Sequence, residues 1–151
     1  MKLRPILLAL AMLSIAGTIL AGSKVAPVNV DKKGSALHGF DPVTYFENDK
    51  PQPGSETFAY TFMGATWRFV SAENRKKFAQ HHEMYMPQFG GYCAKAVSEN
   101  NTADIDPLAF KIVNGKLYLN YDPKVQKIWE KDIPGRIAKA EANWPELHAA
   151  E

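Results

Sequence analysis

The sequence predicts an α+β domain in which two β-hairpins contribute to a small antiparallel sheet and helices pack against it. Aromatic residues alternate at Phe58, Tyr60 and Phe62 and resume at Trp67 and Phe69 after a break at Gly64, the pattern of a half-buried hairpin. Asn114-Gly115, between the apolar runs Phe110–Val113 and Leu117–Leu119, is a strong short-range hairpin signal, because both residues accept positive φ. Asp122-Pro123 then offers a cap followed by proline at the first helical position. With 151 residues, 46% of them apolar, one core is expected, rich in the eight Phe, six Tyr and three Trp.

Lys2 and Arg4 precede an uncharged run from Pro5 to Leu20 and the small residues Ala21-Gly22-Ser23, the layout of a secretory signal over residues 1–23. Residues 24–36 read as an extended arm and 37–147 as a single domain, placed in the periplasm or secreted. An uncleaved membrane anchor is the alternative, although the run is shorter than the roughly 20 residues a spanning helix wants. The segment Leu20-Ala21-Gly22-Ser23 looks like a lipoprotein box with serine in place of cysteine, so thioether lipidation is not expected.

Within the domain, Asp41-Pro42 begins a helical turn carrying Val43, Tyr45 and Phe46, and Pro51–Gly54 is a loop. Ser71 caps a helix, with Glu73 in its first turn, in which Phe78, His81, His82 and Tyr85 share a face up to the limit set by Pro87. Gly90-Gly91 turns into a short helix at Tyr92–Val97, and a polar loop runs from Ser98 to Asp106. After the second hairpin, Val125, Ile128 and Trp129 share a helical face, and Pro134-Gly135 separates that helix from a last one bearing Ile137, Ala140 and Trp144.

Lys and Arg number 18 against 16 Asp and Glu, and without residues 1–23 the two signs balance, so no basic face for nucleic acid is implied. The lone Cys93 excludes an intramolecular disulfide and a multi-thiolate zinc site. Phosphate loops, nucleophile elbows and His-Glu-x-x-His stretches are absent, which leaves hydrolase and nucleotide-binding readings without support.

Leu37-His38-Gly39-Phe40-Asp41-Pro42-Val43, the stretch from Tyr60 to Phe78, and Tyr85-Met86-Pro87-Gln88-Phe89-Gly90-Gly91-Tyr92-Cys93-Ala94 together resemble the secreted branch of the YHS-domain proteins. The likeness continues through Gly115–Asn120 to Asn143-Trp144-Pro145. It implies a small treble-clef-like module associated with copper and heavy-metal handling. Metal-binding members carry cysteines where this chain has Thr44, Val70 and Asn74, so those thiolate ligands are missing here.

The candidate metal donors are Cys93, His38, His81, His82, Met84 and Met86. Cys93 at a helix N-terminus would favour a thiolate, or it is a small buried hydrophobe. His38 could meet Cys93 at a soft-metal or thiol-activation site, or fix its own loop by hydrogen bonding. His81-His82-Glu83-Met84-Tyr85-Met86 suits copper in its donors, or fills the core beneath the hairpin. Asp41 and Asp106, each before proline, read as caps or turn residues, with Glu73 and Asp104 the other carboxylates near these segments. The aromatic face could likewise floor a ligand pocket or form core.

The expected function is an exported YHS-like module that binds or handles a transition metal, copper first, without catalysis. The alternatives are a metal-free module that binds a small ligand or a protein partner, and a thiol enzyme with Cys93 as nucleophile and His38 as base.

Overall fold

The alternating aromatics form β1 (Ser55–Phe62) and β2 (Ala65–Phe69), paired antiparallel with Phe62 opposite Ala65. Met63-Gly64 joins them with φ of 52° and 72°, the two-residue turn whose twist matches that of its strands. This computed structural model describes residues 24–47 and 50–149, so the predicted export signal lies outside the described residues. Trp67 and Phe69 are fully buried, and Phe78 of α2 (Ala72–Gln80) packs on both with ring centroids 4.8 and 5.3 Å away. The indole N–H of Trp67 donates to the Phe62 carbonyl at 3.1 Å, which satisfies its polar atom inside the core.

The second hairpin pairs β3 (Asp106–Val113) with β4 (Lys116–Asn120) through Asn114-Gly115, whose φ values are 52° and 74°. The α+β class and both hairpins are as predicted, but the hairpins remain two separate two-stranded sheets and do not share one. The reason lies at their edges. The outer edge of β2 is taken by the arm, since Ala36 N–H donates to the Thr66 carbonyl and Thr66 N–H to that of Gly34, while Pro87 bridges Leu117 of β4. Loop segments cover the polar edges that a neighbouring strand would otherwise use.

Short helices fill in around the hairpins: α1 (Thr44–Glu47), α3 (His82–Tyr85), α4 (Ala94–Ser98), α5 (Pro123–Trp129) and the long α6 (Ile133–Leu147). Ser71 caps α2 by accepting from Asn74 N–H, and Asp122 caps α5 by accepting from Val125 N–H. Two expectations change. The helix predicted through Tyr85 ends at Gln80, and His81 at φ −142° opens a break before α3, which turns His82 onto the first hairpin. Pro134-Gly135 lies inside the first turn of α6, where proline is tolerated because its missing N–H has no helical partner to lose. Asp132 accepts from Gly135 N–H at 3.0 Å, and a Cβ on Gly135 would stand 2.2 Å from that carboxylate.

The arm is bound to the domain. Val28 is buried, and Val25 pairs with the C-terminal end of the described chain: Val25 N–H donates to Leu147 and Ala149 N–H donates back to Val25. Among the described residues, no helix is long and apolar enough to cross a membrane.

Candidate functional site

Asp41 does more than cap a turn. Fully buried, it accepts from Val43 N–H with one carboxylate oxygen, and from Val70 N–H and the Asn74 side-chain amide with the other, at 2.8 to 2.9 Å. It ties the start of α1, the end of β2 and α2 together, and all three of its hydrogen-bond partners are donors, so it is a structural acceptor. Asp106 accepts from Leu108 N–H in a turn at the start of β3, and Glu73 pairs with Lys77 one helical turn on.

The six predicted metal donors do not gather. His38 Nε2 bonds to Asp104 at 2.8 Å, and Asp104 also accepts from Asn29 and Ile105 N–H. Burial raises the Asp104 carboxyl pKa, but its hydrogen bonds from Asn29, His38 and Ile105 outweigh that and hold it below the ordinary range. His38 therefore fixes a loop, and Leu37, His38 and Gly39 form a left-handed turn with φ of 51°, 52° and 83°. His81 is exposed, whereas His82 stacks on Phe62 with ring centroids 3.8 Å apart and meets Phe78 edge-on. Met84 points to solvent and Met86 lines a cleft on the other side of α3's exit. Among the described residues, no three His, Cys, Asp or Glu side chains converge.

Cys93 is the N-cap residue of α4 and 1% exposed. Its sulfur accepts from Tyr121 N–H at 3.3 Å, and its thiol faces the Asn120 amide oxygen at 3.7 Å. It floors a cavity of about 300 Å³ beside Lys95, Ala96, Glu99 and Tyr121. No imidazole shares that cavity, so the predicted Cys93–His38 partnership is not formed here.

The larger opening is a cleft of about 410 Å³ between the arm, the first hairpin turn, the segment after α3 and the end of α6. Pro27, Met63, Met86, Phe89 and Trp144 supply its apolar wall, and Gln88, Glu141 and His148 its polar groups. Its volume falls in the range of small-ligand sites, and its surface is almost as polar as it is apolar. Two local features shape it. Phe89, Gly90 and Gly91 form a second left-handed turn with φ of 55°, 60° and 79°, and a Cβ on Gly90 would stand 1.9 Å from the Pro27 carbonyl oxygen. Only glycine lets the arm close on that turn, where Asn29 N–H donates to the Gly90 carbonyl.

At the other wall, His148 lies flat on Trp144 with centroids 4.4 Å apart, and its Nδ1 sits 2.7 Å from the Trp144 carbonyl oxygen. A carbonyl only accepts, so Nδ1 carries a proton, and in the neutral tautomer the lone pair is on Nε2. Of the predicted donors, the cleft contains Met86 alone; Glu141 and His148 carried no recognisable signal, because they come from a helix end far in the chain from the hairpin turn that supplies Met63. The one available clue was Met63 itself, a thioether at a turn position that prefers Asn or Gly. No family model, no curated protein and no solved structure matches this chain.

Proposed function

We propose that this chain is an exported, non-catalytic binding module that holds a small ligand in the cleft walled by Met63, Met86 and Trp144. The observation behind this reading is the cleft: about 410 Å³, open to solvent and lined by apolar side chains interleaved with polar groups. The supporting contrast is that, among the described residues, Cys93 and His38 do not form the pair a thiol enzyme would use, since the His38 imidazole is engaged by Asp104 and Cys93 faces an amide.

The test uses the full chain labelled with 13C at methionine methyls. Among residues 24–151 the methionines are Met63, Met84 and Met86, of which Met84 is exposed and lies outside the cleft, so it serves as the internal control. Small aromatic fragments should shift Met63 and Met86 and leave Met84 in place. Fragments that perturb only Met84, or only residues around Cys93, would refute the reading. Export itself is checked by mass spectrometry of native protein, expected to begin near residues 22 to 27.

Copper is the second reading, relocated from Cys93. The thioethers of Met63 and Met86 and the Nε2 lone pair of His148 line one cleft, and sulfur with imidazole is a donor set for the reduced ion. Under anaerobic competition with a copper(I) chelator, Met63→Leu combined with Met86→Leu should weaken binding at least tenfold, and Cys93→Ser should leave it unchanged. The reverse pattern would return the site to Cys93.

A further inference from the structure

We infer that the cleft selects an organic cation, an ammonium group on an apolar or aromatic body. The inference rests on the cleft being the ligand site and adds the ligand's charge. Every polar side-chain group there except the Gln88 amide is an acceptor. Glu141 brings a carboxylate that enters no ion pair among the described residues. His148, its Nδ1 committed to the Trp144 carbonyl, offers Nε2 as an acceptor in the neutral ring. Neither lysine nor arginine lines the cleft.

An anionic ligand would therefore face Glu141 with no lysine or arginine to neutralise it, and a neutral hydrocarbon would gain nothing from either acceptor. An ammonium group supplies up to three N–H donors and the opposite charge, while its apolar body lies along Met63, Met86 and Phe89. Trp144 acts as a wall here, since His148 already covers one of its faces and Phe89 and Tyr92 pack around it. Glu141 is exposed, so it discriminates modestly: pairing with a solvent-accessible carboxylate changes affinity up to about fivefold.

The experiment titrates the full chain at low salt with phenethylammonium, its neutral isostere phenethyl alcohol, and phenylacetate, following the Met63 and Met86 methyl resonances. Affinity should rank ammonium above alcohol above carboxylate, with about fivefold between the first two. Glu141→Gln should bring the ammonium down to the level of the alcohol and leave the alcohol unchanged. His148→Phe keeps an aromatic ring against Trp144 but removes an acceptor that either an N–H or an O–H can use, and should lower ammonium and alcohol affinity alike. Equal binding of ammonium and alcohol, or a preference that survives Glu141→Gln, overturns the charge assignment while the cleft remains the ligand site. Failure of all three probes to move either methyl overturns both. Unchanged thermal melting of each variant shows that it has folded.

Discussion

The two hairpins use the same turn with different chemistry, and they are anchored in opposite ways. Both place their two turn residues at positive φ, but one spends Asn114-Gly115 on it and the other Met63-Gly64. Asparagine tolerates the left-handed region because its short amide bonds locally; methionine has no such compensation and costs about 1 kcal/mol there. At their open ends the order reverses. The first hairpin ends at Asp41, a buried carboxylate surrounded by donors, whereas the second ends at Asn120, buried with its Nδ2 atom lacking a partner. Of the two turns, the one strained at methionine lines the cleft, while Leu37, His38 and Asn100 adopt positive φ outside it.

Breaking the first hairpin's anchor should have the largest effect. Asp41→Ala leaves Val43 N–H, Val70 N–H and the Asn74 amide without their acceptor, so a loss of about 3 kcal/mol or more is expected in urea unfolding. A loss below about 1 kcal/mol would mean that water replaces the carboxylate and that the hub is not one.

The matching change at the second hairpin, Asn120→Ala, should cost about 2 kcal/mol, because it removes the acceptor for Lys95 N–H and for the Cys93 thiol. It should also speed alkylation of Cys93 in the folded protein, since that residue is 1% exposed with Asn120 in place. If Cys93 already reacts fast in the unaltered protein, its burial does not protect it and the thiol reading regains ground.

Exchanging the turns sharpens the contrast directly. Met63→Asn should stabilise the fold by about 1 kcal/mol, and Asn114→Met should destabilise it by a similar amount. Met63→Asn should also weaken phenethylammonium binding through the lost thioether wall. Stability gained without any loss of binding would detach the strained residue from the cleft.

The smallest effect is expected at Asp104, which fastens the arm and the left-handed turn at His38. Its carboxyl is held below the ordinary range in the fold, so it contributes stability above the unfolded-state value of about 3.9 and loses it as pH falls through the lower folded-state value. Asp104→Asn should therefore lower stability slightly at neutrality, where the contribution is fully present, and leave it unchanged below the folded-state value, so that the acid limb below about pH 4 becomes flatter. Its side chain is 55% exposed, so solvent screening keeps the change small.

Much of the fold was legible because its signals are local. Alternation at Phe58–Phe69, the Asn114-Gly115 turn, and the caps Ser71 and Asp122 each act over a few residues, and each stands where it was predicted. The donor set was not legible in the same way. His81 and His82 are adjacent in sequence and were read on one helix, yet the break at His81 sends one to solvent and stacks the other on Phe62. Helical periodicity carries no information about where such a break falls.

By itself the sequence determined the α+β class, the two hairpins, the starts of α2 and α5, and the absence of a multi-thiolate centre, because these follow from residue type and short-range spacing. Only the tertiary structure decided that the hairpins stay apart, that Asp41 is a buried hub, and that Met63, Met86, Glu141 and His148 meet at one cleft. Those outcomes depend on which loop covers which strand edge and on how the arm closes over Gly90, contacts between segments far apart in the chain that no local pattern encodes.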